Sequence, residues 1–404
     1  MEKTTASVTI RLMFWLEIFG TLNFLQPVLT LFYLKNGLSE RDIFIVLFCW
    51  SLAVLIGEIP TGVYADRFGP KISFLTGCLV RLSSIFLLLF ATEPWMFFLY
   101  SFINGFSVTF YSGADEAFIY ESLKESGETH KMDQAMGQIQ SGDFIATIIS
   151  VLSGAFLAKD LSHSQFTLLI ALTIGFQVIE FILTFFLRNP KTVIHKRQVT
   201  ALQQIKMGIG VIRHAPWLLV MFLNVTLVFI PVGAVFKNFD QPYLVSAGVP
   251  VALIGVLYAL AAVLGFFASN SIGWLTHHCS RMVLMYATGF LSAAGLVLAA
   301  LFRSGIWTAI GIFFLLKIVQ VIRYPIYSQI SNDYIPSGVR ATTISLLSII
   351  DSCCDLAVFL LLTLASAGNS LSGIFLVCAG IVFAGTLLPI RPLTNDKGTP
   401  SSSD

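Results

Sequence analysis

The chain has 404 residues, 56% of them hydrophobic and only 11% charged, where a soluble domain carries about 25% charged residues. So little polar surface cannot cover two or three soluble domains, which leaves lipid as the solvent and the bilayer as the first partner. A net charge of +2 is too small to suggest nucleic acid. The six cysteines, two of them adjacent at Cys353 and Cys354, have neither the spacing of a disulfide framework nor that of a zinc site. No metal and no cofactor is expected.

Apolar runs of about 20 residues cross a bilayer core of ~30 Å. Twelve are expected, at roughly 9–34, 43–64, 72–92, 95–122, 136–158, 166–187, 216–243, 251–275, 282–302, 306–331, 341–366 and 371–390. The first lacks a short apolar region followed by a small-residue cleavage site, so it reads as a retained helix. The expected fold is an all-α membrane protein of 12 transmembrane helices in two pseudo-symmetric six-helix bundles. The N-terminal bundle covers 1–187, a basic middle loop 188–215, the C-terminal bundle 216–390 and a disordered polar tail 391–404. Most of the 24 Lys and Arg fall on the side of the N-terminus. The positive-inside rule therefore puts both termini, the middle loop and the tail in the cytoplasm of a multi-pass plasma membrane protein, with a bacterial inner membrane and a monomer expected.

The halves echo one another in order. NFLQP at 23–27 recurs as NFDQP at 238–242, bringing Asn23 and Gln26 opposite Asn238 and Gln241. Gly62 has a counterpart in Gly273, and Asp115 and Asp143 stand 208 residues before Arg323 and Asp351. Parallel repeats of this kind place a site near the membrane midplane between them.

Between spans two and three the chain reads Gly62-Val-Tyr-Ala-Asp66-Arg67-Phe-Gly69-Pro-Lys71. This stretch resembles the G-x-L-A-D-R-x-G-R-K loop of the major facilitator superfamily, with Tyr64 in place of Leu and Pro70 in place of the first basic residue. The second copy keeps Gly273, Leu275 and Arg281 but has His277 for the Asp. With twelve spans and a 6+6 repeat, the resemblance covers nearly the whole chain. It implies a gating latch in which Asp66 faces the positive N-terminal end of span eleven, at Ser337 to Arg340, while Arg67 and Lys71 pair with Glu121. A plain positive-inside turn is the alternative.

Charges within the spans need a reason, because each costs about 2.5–3.5 kcal/mol at mid-bilayer. Asp115, Asp143, Arg323 and Asp351 all fall ~12–16 Å in from the cytoplasmic side at 1.5 Å per residue, on spans that line the cavity in this superfamily. They are expected to form one substrate and proton site, with structural pairing as the alternative. Glu116 lies 100° round the helix from Asp115. Asp351 and Asp355 are one turn apart, too close to ionise together readily, and so suit proton coupling; a salt bridge to Arg323 or Lys317 is the competing reading. Gln26 and Gln241 precede prolines and are expected on the cavity face. Glu17 is 180° from Gln26 and ranks lower. Lys237 reads as a helix-end residue on the outer side. Arg81 and Glu180, on spans three and six, read as glue between helices. Ser101, not Arg, precedes Gly105 in the R-x-x-x-G spacing of drug antiporters, and no proline occurs between Pro94 and Pro190.

The expected function is secondary active transport of a small organic solute by alternating access, with protons as the coupling ion. Export of a drug, siderophore or metabolite is favoured over uptake of a siderophore or nutrient. A membrane enzyme is disfavoured, since all six His fall in predicted loops. A non-transporting sensor is the remote alternative.

Overall fold

The structure is a computed structural model that describes residues 5–112, 114–190, 216–302, 305–334, 340–366 and 370–390. The middle loop beyond Pro190 and the tail from 391 lie outside the described residues. All regular structure among the described residues is helical, because only a helix or a closed barrel satisfies its own backbone polar groups in hydrocarbon. Twelve spans follow in chain order: α1 (Ala6–Lys35), α2 (Glu40–Phe68), α3 (Pro70–Leu88), α4 (Pro94–Val108, resumed at Ala114–Glu125), α5 (Met132–Leu157) and α6 (His163–Thr184) form the first half. The second half comprises α7 (Leu219–Ser246), α8 (Val251–Asn270), α9 (Arg281–Leu301), α10 (Ile306–Tyr334), α11 (Arg340–Ala365) and α12 (Leu371–Leu387). With an even number of crossings both described ends share one face, here the terminal face; the opposite side is the far face.

The polar stretch at 61–71 is not a loop, as the sequence suggested. α2 continues through Asp66 and Arg67 to Phe68. Gly69, with φ of +84°, makes the turn alone, and Pro70 opens α3 at its first position. Only glycine takes that backbone conformation without strain, and proline suits the first helical turn, where its missing N–H is no loss.

Three spans are irregular. α4 stops at Val108, and Thr61 of α2 donates its hydroxyl to the freed Thr109 carbonyl at 2.9 Å. α1 breaks after Thr21; the Asn23 Oδ1 atom accepts from the Leu25 N–H, and the Thr173 hydroxyl of α6 accepts from the Phe24 N–H, each at 3.2 Å. α7 does not break. It widens into a π-helix over Ile230–Phe236 and then resumes, a feature found mostly at functional sites.

The halves meet mainly along two helix pairs, α2 with α11 and α5 with α8, and α1 also touches α7 and α8. Toward the far face one apolar cluster draws from both halves, including Phe32, Phe44 and Phe97 with Phe236, Phe239 and Tyr243. Toward the terminal face each half keeps its own, around Phe74, Phe118 and Leu123 in one and Phe222, Met285 and Ile326 in the other.

Candidate functional site

The far face is closed by a side-chain clasp. Gln241, 3% exposed, accepts from the Thr30 N–H at 3.0 Å and donates to the Gln26 carbonyl at 3.1 Å. Only one of the two glutamines bridges with its side chain, since the Gln26 side chain is exposed. Phe44 and Phe239 pack beside the clasp with ring centroids 5.1 Å apart. Helix backbones also approach closely here: a Cβ added at Gly255 would lie 2.1 Å from the Val151 carbonyl oxygen, and one at Gly154 equally near that of Phe24.

The clasp is continuous with a buried ion pair. Asp240, fully buried, lies 3.0 Å from the Lys317 ammonium and accepts from the Tyr258 hydroxyl. The ammonium sits 5.3 Å from the ring centroids of Tyr258 and Phe313, where the aromatic faces stabilise its charge. Lys317 is thus committed to Asp240 of α7, not to Asp351 or Asp355.

The acids Asp143 and Asp351 occupy equivalent places. The Thr21 hydroxyl of α1 donates to Asp143 at 3.2 Å, and the Thr226 hydroxyl of α7 donates to Asp351 at 2.8 Å. Thr21 and Thr226 are 205 residues apart, close to the 208 between the acids, so the repeat reproduces a hydrogen bond as well as helices. Asp355 of α11 lies close to Ser51 of α2 across the seam between halves. Asp115 is half-buried and accepts from the N–H of the exposed Glu116 at 2.8 Å. Glu17, half-buried, lies within electrostatic range of Asp143 and Asp115.

Arg323 does not join these acids. It is 4% exposed and turns into its own half, donating to the Asn224 Oδ1 atom at 2.6 Å, to Thr288 at 3.1 Å and to the Met285 carbonyl. Neutral acceptors from α7 and α9 surround it, a bracing role within one bundle. The four charges expected at one depth are therefore divided: two acids in matching Thr–Asp pairs, one at a helix start, and one base inside the C-terminal half. In the N-terminal half Arg81 pairs with Glu180 and reaches the Tyr111 hydroxyl at 3.4 Å, joining α3, α4 and α6. Asn23 and Asn238 serve their own backbones, the latter donating to the Ala234 carbonyl at 2.7 Å.

At the terminal face Asp66 and Arg67 are exposed, and the Arg67 guanidinium lies 5.3 Å from the Phe68 ring. Lys71 donates its ammonium to the Phe185 carbonyl at 2.6 Å, and its N–H to Asn189 at 3.0 Å. Glu121 receives Lys124 at 3.4 Å. Gly62 has open space where a Cβ would stand. Residues 335–339, the expected partner of Asp66, lie outside the described residues, as does the Arg340 side chain.

Sequence reasoning missed Asp240, Tyr258, Thr21, Thr226 and Asn224. The comparison of NFLQP with NFDQP held the signal for Asp240, the one position where the two copies differ.

The sequence profile of the Major Facilitator Superfamily matches residues 12–353. No curated protein matches the chain. Among solved structures, a variant of the nucleoside transporter NupG superposes with a TM-score of 0.78 at 13% identity, covering 94% of this chain and 98% of that one. A D-xylose-proton symporter gives 0.70 at 13% identity, covering 94% and 96%. A POT family transporter in complex with 5-aminolevulinic acid gives 0.68 at 10% identity, covering 94% of each chain. At such identities the likeness is one of fold.

Proposed function

Because the chain belongs to the major facilitator superfamily, we propose that it is a proton-coupled secondary transporter moving a small organic solute by alternating access. The observation that carries this reading is the unequal joining of the halves. They share one apolar cluster and the Gln241 clasp at the far face, while their clusters stay separate toward the terminal face. That is one of the two arrangements that rocking of one bundle against the other requires.

The acids supply the coupling. Asp143, Asp351, Asp355 and Asp115 with its neighbour Glu116 provide carboxylates inside the spans, and at least one takes up a proton on one side and releases it on the other. Asp66, with Arg67, Lys71 and Glu121, latches the terminal face to the start of α11 near Arg340 when that face closes, the face read as cytoplasmic. Export is the direction assigned, from chain length and loop pattern. Import is the second reading, favoured by the likeness to a D-xylose-proton symporter.

The test is reconstitution in liposomes carrying a pH-sensitive dye, with amphipathic metabolites, siderophores, nucleosides, sugars and peptides offered in turn. Proton movement opposite to the solute supports export; movement with it supports import. Solute flux without any proton movement sinks the coupling.

A further inference from the structure

A cavity of about 620 Å³ opens at the terminal face, between the first turns of α1 and the chain that leaves α6. Its size falls among pockets that take small-molecule ligands, about 300–1,000 Å³. All of its lining residues belong to the N-terminal half, so it is a feature of one bundle. Arg11 of α1 and Arg188, four residues past the end of α6, both line it. Both are exposed, and neither makes a hydrogen bond or ion pair among the described residues. No Asp or Glu is among the lining residues.

Most of the remaining lining is apolar. Leu12 and Trp15 of α1 face Phe186, which follows α6 and is 68% exposed. An aromatic ring so uncovered suits hydrocarbon and not water. Trp15 lies one turn, ~6 Å, further into the bilayer than Arg11. Both walls are held in place. Trp15 stacks on Phe19 with ring centroids 6.0 Å apart, and Phe19 on Phe176 of α6 at the same distance. Lys71 of α3 ties down the other wall, its ammonium on the Phe185 carbonyl and its N–H on Asn189, either side of Phe186 to Arg188.

Charge at the face and apolar surface beneath it is the order of a phospholipid. A soluble anion would satisfy the arginines and leave Trp15 and Phe186 uncovered. A zwitterionic lipid would bring an ammonium to a cavity with two cations and no acid. We propose that the cavity binds an anionic phospholipid from the leaflet at the terminal face, its phosphate at Arg11 and Arg188 and an acyl chain along Trp15 and Phe186. Guanidinium–phosphate contacts are charge-assisted, and basic pockets between transmembrane helices suit such headgroups.

Native mass spectrometry of the full-length protein, titrated in detergent with single lipids of matched acyl chains, tests this. Phosphatidylglycerol is the probe; phosphatidylethanolamine, phosphatidylcholine, glycerol 3-phosphate and inorganic phosphate are the comparisons. Phosphatidylglycerol is expected to bind about tenfold tighter than each of them. Arg11→Gln and Arg188→Gln should each weaken it about fivefold, the worth of one basic side chain at an anionic lipid surface. Arg281→Gln, at an exposed position opening α9 on the same face of the other half, should change nothing. The proposal is overturned if a zwitterionic lipid or a soluble phosphate binds as tightly, or if either cavity arginine is replaced without loss. An equal loss in Arg281→Gln overturns it as well, since attraction would then need no cavity. A dimer that Trp15→Ala dissolves, with no lipid retained, would give the groove to a second copy and also overturn it. Should Arg11→Gln not fold, Arg188→Gln, which lies outside any helix, decides: unchanged affinity overturns the proposal, and a loss supports it.

Discussion

NFLQP in α1 and NFDQP in α7 differ at one position and are used in opposite ways. In the first copy Leu25 is 3% exposed and packs into the apolar cluster, α1 breaks, and the Gln26 side chain is left outside. In the second copy Asp240 is fully buried against Lys317 and Tyr258, α7 stays helical, and Gln241 crosses to the other half. The broken copy offers the backbone that the intact copy grips, namely the Gln26 carbonyl and the Thr30 N–H. Duplicated sequence has diverged into a receptor and a hand, and a single carboxylate with its lysine marks which is which.

Making the second copy like the first should have the largest effect. Asp240→Leu strands the Lys317 ammonium, and losing one partner of a buried pair costs about 3–5 kcal/mol. Thermal unfolding in detergent should show a large loss, with Asp240→Leu combined with Lys317→Met recovering most of it. A double variant no more stable than Asp240→Leu would mean the pair is not the unit. Gln241→Ala removes the grip without touching the pair, and unsatisfied buried groups cost about 1–3 kcal/mol. A cysteine at Thr30, a position 1% exposed, should then label from the far face, having been protected before. Unchanged protection would assign the closure to the apolar cluster alone.

The second repeated motif sharpens the contrast at the other face. Asp66→Asn should leave insertion intact and slow transport by about tenfold, since a carboxylate at a helix end contributes roughly 1 kcal/mol or more through its charge. His277→Asn, in the decayed copy, should leave turnover unchanged. Equal effects of the two would remove the functional asymmetry. The smallest effects belong to the feature that the halves share: Thr21→Val and Thr226→Val each lose one hydrogen bond, worth about 0.5–1.5 kcal/mol. Their shifts in unfolding temperature should match; a marked inequality would break the equivalence of Asp143 and Asp351.

The fold was legible in the sequence because hydrocarbon leaves so few choices. A charge-poor run of sufficient length becomes a helix, and the duplicated motifs fixed the order of the two bundles. Side-chain partners were less legible because they depend on rotation about each helix axis. Depth along the chain put Arg323 level with Asp351, yet its guanidinium turns toward Asn224 and Thr288, which no spacing rule announces. The π-helix at Ile230–Phe236 changes the register of everything after it, so Lys237, read as a helix-end residue, follows directly on the widened segment with Phe236, Phe239 and Asp240 buried around it. Gly69 was visible as part of a motif, but its single-residue turn follows from φ and the proline beside it, not from the surrounding charges.

The meeting of Gly255 with the Val151 carbonyl has a thermal consequence. A seam made of backbone holds no rotamers, so pressing it together freezes no side chains and costs little entropy there. Apolar side chains of the shared cluster, by contrast, should enter water when the far face opens as proposed, and their exposure would raise the heat capacity. Warming should therefore act on the switch through the aromatic contact of Phe44 with Phe239 and hardly at all through the glycine seam. On the proposed alternating access, the α5–α8 contact should act as a bearing whose friction does not change with temperature, while the spring that returns it does.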